Sequence, residues 1–129
     1  MRWRRAYPKR SNGTVSFSAK NSGPDLSGKR VLVTGAAGFI GSHLSRRLVE
    51  LDCRTTILVR PSTDLWRIGD IVDRVDIVYG DLRRFDAEDI AARVPDVEII
   101  YHLGAAGLDQ SVDDDTPIVE TNVMGTLGL

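Results

Sequence analysis

Three glycines spaced three residues apart, Gly35, Gly38 and Gly41, interrupt the segment VLVTGAAGFIGSHL at residues 31–44. The run RVLVT before them is mostly β-branched, which is typical of a buried strand. The apolar residues of the following segment, 40–51, recur at helical spacing and share one face: Ile40, Leu44, Leu48 and Leu51. The sequence therefore predicts a strand, a tight glycine turn and a helix in immediate succession.

The spacing of the glycines indicates what such a turn can hold. Gly35 permits the tight turn, Gly38 lets a pyrophosphate approach the backbone, and Gly41 lets the helix pack closely on the sheet. The N–H groups near Phe39 and Ile40 then point at the anion, helped by the helix dipole. The alternative is a glycine-rich corner that binds no ligand.

The rest of the chain alternates between strand and helix patterns. TTILVR, VDIVYG and VEIIYHL predict a second, third and fourth strand, with a helical turn near DLWRIGDI. DAEDIAARV and TPIVETNVMGTLGL predict helices before and after the fourth strand. Such alternation predicts an α/β fold, with right-handed crossovers and a parallel sheet covered by helices on both faces.

Composition excludes several classes of protein. A chain of 129 residues with 42% hydrophobic content and a net charge of −1 is typical of a single soluble globular domain, which we expect to be cytoplasmic. No apolar run approaches the roughly 18–20 residues that span a bilayer. The single cysteine, Cys53, predicts no internal disulfide. We expect neither nucleic acid nor a membrane as a partner.

Positive charge is concentrated at the N-terminus. Residues 1–24 contain six Lys or Arg and no acid, whereas residues 25–129 contain 11 basic and 18 acidic residues. The first 28 residues are also rich in Ser, Gly and Asn, without apolar periodicity, and predict a disordered basic extension. A solvated tail, an organelle transit segment and a nucleic-acid-binding arm remain alternatives, whereas a secretory signal is disfavoured because no apolar core follows the arginines.

Four motifs in order resemble one family. VTGAAGFIGSHL, YGDLRR, YHLGAAGLDQS and VETNVMGT are similar to segments of the extended short-chain dehydrogenase/reductase superfamily, of the NAD(P)-dependent epimerase/dehydratase, nucleotide-sugar type. The resemblance runs from about residue 29 to the last residue. It implies a partial NAD(P)-binding domain over 29–129, a Rossmann-like doubly wound sheet in the order 3-2-1-4-5 that is truncated after the helix following strand four.

The resemblance also implies roles for individual residues. Asp81 would bond the adenine amino group and Leu82 would line the adenine pocket. The turn after strand four would pass beside the cofactor riboses through Leu103, Ala105 and Ala106. Thr121 would contact the cofactor, with Asn122 as a neighbouring structural residue.

The end of the second strand bears on the choice of cofactor. An acid at this corner accepts hydrogen bonds from the ribose 2′-OH in the NAD-preferring pattern, but this chain has Arg60 there. A guanidinium can pair bidentately with a 2′-phosphate, and the hydroxyls of Ser62 and Thr63 can add donors. The sequence predicts NADP. The alternative is an arginine stacked on adenine, which would tolerate NAD.

Catalysis in the resembled family requires a Tyr-x-x-x-Lys pair, because the lysine lowers the pKa of the tyrosine. Tyr7 is followed four residues later by Ser11, Tyr79 by Arg83 and Tyr101 by Ala105; none fits. We therefore predict no catalytic residue in this chain and no turnover by it.

Two functions follow as alternatives. In the first, the chain is the cofactor-binding part of an NAD(P)-dependent epimerase, dehydratase or reductase whose full-length form acts on a nucleotide sugar and can form a homodimer. In the second, it is a non-catalytic dinucleotide-binding or sensing module. Without a fifth strand, we expect the isolated chain to be poorly soluble, oligomeric or partly molten.

Other polar residues favour structural interpretations. His102 lies on a predicted buried strand and is expected to be a satisfied core histidine. The consecutive acids at positions 113–115 cannot all converge on one ion, so they predict a solvated loop with a helix cap and no metal site.

Overall fold

The computed structural model describes residues 25–84, 87–94, 96–107 and 116–129. Most of the predicted basic extension, residues 1–24, and the acidic loop at 113–115 lie outside the described residues. Residues 25–28 are hydrogen-bonded to the body of the domain, since Gly28 N–H donates to Asp52 O at 2.9 Å and Cys53 Sγ donates to Leu26 O at 3.2 Å.

A parallel sheet forms the centre of the fold. Its strands are β1 (Arg30–Thr34), β2 (Arg54–Val59), β3 (Asp76–Tyr79) and β4 (Ile99–His102). They are arranged in the order β3-β2-β1-β4, and every pairing is parallel. The register aligns Val33 of β1 with Ile57 of β2 and Tyr101 of β4. The predicted strand order and parallel sheet are confirmed.

Helices connect the strands. α1 (Phe39–Glu50) joins β1 to β2, two 3₁₀ turns (Trp66–Ile68 and Val72–Arg74) lie between β2 and β3, and α2 (Ala87–Arg93) lies between β3 and β4. The last helix begins as α3 (Thr116–Val119), continues through a π-helical turn (Glu120–Met124) and ends as α4 (Gly125–Leu127). No described helix is both long enough and apolar enough to cross a membrane.

Both faces of the sheet are covered, as the alternation of β1 shows. Val31 and Val33 point to the face on which Leu48 of α1 and Ile68 of the first 3₁₀ turn pack. Leu32 points to the opposite face. The residues grouped with Leu32 on that second face are Leu58, Val78, Leu82, Val94, Val97 and Leu129. The predicted doubly wound architecture is confirmed.

The core-facing side of α1 differs from the one that its sequence pattern predicts, since its buried residues are Gly41, Ser42, Ser45, Leu48 and Val49. Leu48 is buried, and Leu44 and Leu51 pack partly against the core, but the side chain of Ile40 is 68% exposed. The prediction for Ile40 is wrong because Gly41 faces the backbone of Gly35 and Ala36, which places the neighbouring Ile40 side chain on the outer side of the helix. The helix ends in a Schellman motif in which Asp52 (φ 60°) donates to Val49 O and Cys53 donates to Leu48 O.

β4 forms one edge of the described sheet, since β1 is its only described strand partner. Ile99 and Tyr101 pack on the α1 face, whereas Ile100, on the other face, remains 40% exposed. The self-association expected at such an edge stays a prediction.

The corrected face of α1 leads to a matched pair of substitutions. Ile57→Ala removes a fully buried side chain (0% exposed) and should lower the free energy of unfolding by about 2–5 kcal/mol. The same substitution at exposed Ile40 should change it by less than about 0.5 kcal/mol. Urea unfolding of both variants measures the difference, and equal losses would contradict the placement of Ile40.

Candidate functional site

A cavity of about 710 Å³ opens at the carboxyl ends of the four strands. This is the edge at which parallel α/β sheets bind ligands, beside the point where the strand order reverses. The predicted site residues that line it are Gly35, Gly38, Arg60, Ser62, Asp81, Leu82, Leu103, Ala105, Ala106 and Thr121. The structure thus brings together residues that lie up to 86 positions apart in the sequence.

Phe39, Ile40 and Gly41 are predicted site residues that do not line this cavity. Phe39 is 74% exposed, and its ring meets the ring of His43 edge-on at 5.3 Å. The expected contact of their backbone N–H groups with an anionic ligand stays a prediction.

The turn between β1 and α1 requires glycine at two positions, where a side chain would clash with the backbone. Gly35 has φ +70°, and a Cβ there would lie 2.6 Å from the Leu103 carbonyl carbon and oxygen. A Cβ on Gly41 would lie 2.8 Å from the Gly35 carbonyl carbon and 2.9 Å from Ala36 Cα. These contacts are with backbone, which cannot move aside without shifting β4 or α1.

The first turn of α1 has unused hydrogen-bond donors. Gly38 occupies the N-cap position and supplies no side-chain cap. Ser42 N–H is the first to bond within the helix, donating to Gly38 O at 3.0 Å. Among the described residues nothing accepts from the N–H groups of Phe39, Ile40 and Gly41. Such a set of aligned donors, at the positive end of the helix dipole, binds anions.

The corner after β2 is a tight turn that presents Arg60. Thr63 N–H donates to Arg60 O at 2.9 Å, and Pro61 occupies the position where proline favours this kind of turn. Among the described residues the guanidinium of Arg60 makes no ion pair or hydrogen bond, although its charge helps to lower the pKa of Asp81. A cation is thus left at the mouth of the cavity.

Asp81, after β3, is held by the residue two positions later. Arg83 Nη2 donates to Asp81 Oδ2 at 2.7 Å, and Arg83 N–H donates to Oδ1 at 3.0 Å. The hydrogen bond from the Arg83 side chain, with a smaller contribution from Arg60, lowers the pKa of Asp81. Asp81 is therefore an ionised acceptor, the form that an amino group such as that of adenine requires.

The side-chain amide of Asn122 links the turn after β4 to the last helix. Asn122 Oδ1 accepts from Ala106 N–H at 2.8 Å, and Asn122 Nδ2 donates to Ala106 O at 3.0 Å. This two-bond pairing fixes the backbone that lines the cavity at Ala105 and Ala106. It occurs in the π-helical turn, which also carries Thr121 to the cavity wall.

His102 bridges β1 and α4. Thr126 Oγ1 donates to Asn122 O at 2.7 Å, so it must accept the hydrogen bond from His102 Nε2 at 2.9 Å. His102 Nδ1 then accepts from Thr34 Oγ1 at 2.7 Å, and that oxygen accepts from Gly104 N–H at 3.0 Å. Every member of this chain is satisfied by a neutral imidazole, and burial lowers the pKa of His102.

Sequence reasoning missed several features of the site. The bonds of Asn122 and of the Thr34–His102–Thr126 chain join residues too distant in sequence for any spacing rule to pair them. It also missed Asp64, Trp66 and Arg67, which line the cavity beyond the β2 corner. An exposed tryptophan followed by arginine was the available signal, because such pairs form cation–π contacts.

Comparison with known proteins agrees with this geometry. The model of the NAD dependent epimerase/dehydratase family matches residues 31–129, and the chain belongs to that family. It is 33% identical over 107 residues to a dTDP-glucose 4,6-dehydratase of Mycobacterium tuberculosis, covering 75% of this chain and 30% of the relative. It is 32% identical over 112 residues to UDP-glucose 4-epimerase 3 of rice (Oryza sativa subsp. japonica), covering 79% and 30%.

A solved structure of the Bordetella bronchiseptica enzyme WbmF in complex with NAD⁺ shares the fold, with a TM-score of 0.67 and 27% identity over 82% of this chain and 32% of that one. The predicted α/β, Rossmann-like fold and the family assignment are thus confirmed. The chain spans about a third of the length of the relatives it matches.

Metal ligation has no evident basis in the part of the chain that the structure describes. No group of three or more His, Cys, Asp or Glu side chains comes close enough there to hold an ion. The polar groups that face the cavity are backbone amides, hydroxyls, guanidinium groups and single carboxylates, a set suited to a phosphorylated organic ligand.

The tight turn predicts a strong difference between two glycines. Gly35→Ala combines a disfavoured positive φ with a backbone clash and should lower the free energy of unfolding by more than about 2 kcal/mol. Gly107→Ala is the matched control, because a Cβ there meets nothing within 4 Å. Denaturant unfolding should show a change below about 0.5 kcal/mol for the control. Equal losses would mean that the turn tolerates a side chain.

The His102 chain predicts a dependence of stability on pH. Because the pKa of His102 is lowered in the folded state, the unfolded state takes up the proton first as pH falls. The free energy of unfolding should therefore decrease as pH falls through about 6.5, the ordinary histidine pKa, and level off below the folded pKa.

Urea unfolding between pH 7.5 and 5 measures this slope before the carboxylates titrate. His102→Gln should cost about 1–2 kcal/mol at pH 7.5, through lost hydrogen bonds, and should reduce the slope. His43→Gln, at the other histidine, is the control and should keep it. An unchanged slope in His102→Gln would contradict the neutral bridging role.

Proposed function

We propose that this chain is the cofactor-binding part of an NAD(P)-dependent epimerase or dehydratase that acts on a nucleotide sugar. The observation that carries the proposal is the set of unpartnered N–H groups in the first turn of α1, which starts from the glycine turn beside the cavity. A dinucleotide pyrophosphate fits these donors in charge and number. The names of two relatives, a dTDP-glucose dehydratase and a UDP-glucose epimerase, support the substrate class.

Different residues would contact different parts of the proposed cofactor. The glycine turn would hold the pyrophosphate, Asp81 and Leu82 the adenine, and Leu103, Ala105, Ala106 and Thr121 the ribose and the route towards the nicotinamide. The nicotinamide ring supplies hydride transfer when the cofactor is bound. This chain's own part is to bind and orient the cofactor. The volume of the cavity, about 710 Å³, is in the range of small-molecule sites.

Catalytic proton transfer is not assigned to any residue of this chain. Tyr79 is the last residue of β3 and Tyr101 lies within β4, so neither occupies a helix, and no tyrosine is followed four positions later by lysine. We propose that the chain alone binds the dinucleotide and gives no turnover. Calorimetric titration with NADPH tests the binding. Absence of binding at millimolar cofactor would contradict the proposal.

We further propose that NADP is preferred over NAD. Arg60 supports this, because it lines the cavity at the end of β2, where the NAD-preferring pattern has an acid, and has no described carboxylate partner. Ser62 and Thr63, which follow it in the same turn, line the cavity and offer hydroxyl donors. A doubly charged 2′-phosphate would be attracted to this corner, whereas an uncharged 2′-OH gains little from it.

Replacing the cation tests the preference. Arg60→Asp should reverse the ratio of dissociation constants for NADP and NAD, since a charge-assisted pair contributes about 1–3 kcal/mol, or roughly 5- to 150-fold in affinity. Arg54→Asp makes the same change of charge at the opposite end of β2 and should leave the ratio as it is. Calorimetry with both cofactors measures the ratio. An unaltered ratio in Arg60→Asp would leave Arg60 as a residue that stacks on adenine.

A further inference from the structure

The cavity wall beyond the β2 corner is carried by a short segment, residues 64–70. Asp64, Trp66 and Arg67 line the cavity from this segment. Trp66 is 66% exposed, and the guanidinium of Arg67 lies 4.4 Å from the centroid of its ring. Asp64 Oδ1 accepts from Trp66 N–H at 3.0 Å, which fixes the start of the 3₁₀ turn. An exposed aromatic ring with a stacked cation at a cavity rim suits a flat, anionic ligand.

Two anchors hold this wall. The first is apolar: Ile68 is fully buried and packs in the core beneath α1. The second is polar and involves Arg46 on α1. Its Nε donates to Asp70 Oδ2 at 2.7 Å and its Nη2 to Asp70 Oδ1 at 2.8 Å, and Nη2 also donates to the backbone carbonyl of Arg67. The guanidinium of Arg46 therefore hydrogen-bonds both Asp70, at the end of the segment, and the backbone of Arg67, which lines the cavity.

Arg46 belongs to the same helix whose first turn presents the unused N–H donors. Ser42, one turn before it, donates its N–H to Gly38 O, and Arg46 Nη1 approaches Ser42 O at 3.4 Å. The glycine turn and the 64–70 wall are thus both attached to α1 by hydrogen bonds. The remaining exposed ion pair of α1, between Arg47 and Glu50, stays within the helix and touches no part of the wall.

We infer that Arg46 is a positioning residue for the cofactor site: it sets the Trp66–Arg67 wall against the pyrophosphate-binding turn so that the wall closes the adenosine end of the cavity. The inference rests on the proposed dinucleotide function. Exposed ion pairs add little to stability, about 0–1 kcal/mol. The bidentate geometry and the bond to the Arg67 carbonyl instead fix orientation, and orientation is what a binding wall needs.

Two ligands separate positioning from a general loss of structure. Inorganic pyrophosphate probes the glycine turn alone, whereas ADP probes the turn together with the adenosine end. Arg46→Met removes every donor while keeping an apolar stem of similar length. It should weaken ADP binding by about 5- to 10-fold and leave pyrophosphate binding within twofold. Arg47→Met, the adjacent arginine on the same helix, is the matched control and should change neither.

Calorimetric titration of the full chain with both ligands, together with thermal unfolding, gives a decisive outcome. If Arg46→Met binds ADP as the wild type does, or loses ADP and pyrophosphate in equal proportion, the positioning role is overturned. If the wild type binds neither ligand, the proposed function itself fails. Should Arg46→Met not fold, Arg46→Lys decides, because lysine keeps the charge but cannot grip Asp70 and the Arg67 carbonyl together. It should weaken ADP binding selectively, and unchanged ADP binding would overturn the inference.

Discussion

Gly41 lies so close to the Gly35 carbonyl that a side-chain carbon at position 41 would overlap the backbone of the turn. Gly35 in turn abuts the carbonyl of Leu103, at the end of β4. These two contacts join β1, α1 and β4 at one point. Because α1 starts there without a side-chain cap, its free N–H groups are presented at the carboxyl edge of the sheet, next to the cavity that Gly35 and Gly38 line. The rest of the site depends on this close approach.

The wall of the cavity on the β4 side is rigid for a different reason, which is hydrogen bonding. Asn122 pairs with both backbone groups of Ala106, and His102 links Thr34 to Thr126. A satisfied, partly buried network of this kind favours one arrangement of its members, because a rearrangement breaks several hydrogen bonds at once. The π-helical turn lies where the last helix must present Thr121 to the cavity and Asn122 to Ala106 at once. Such turns occur frequently at functional sites.

The sequence was sufficient to predict the parallel sheet and the glycine turn between β1 and α1. Period-two and period-3.6 patterns are local, so β1 and α1 and the glycine turn between them were predictable, and the order of the strands followed from the resemblance. Side-chain contacts between distant segments were not predictable, since nothing in the spacing of Arg46 and Asp70, or of Thr34 and His102, distinguishes them from other polar residues. Ile40 shows the same limit, because the pattern of apolar residues does not reveal that small residues such as Gly41 and Ser45 form the buried side of the helix.

Within the described part of the chain, two arginines near the site are paired with carboxylates, whereas Arg60 is not. Arg83 is paired with Asp81 and Arg46 with Asp70, each through a bidentate contact that lowers the pKa of the carboxyl group. Arg60 has no such partner among the described residues. Both pairs are exposed to solvent, so their bidentate geometry fixes the orientation of the side chains more than it adds stability. The charge of Arg60 helps to lower the pKa of Asp81, but its guanidinium makes no ion pair with a described residue and remains free to pair with a ligand.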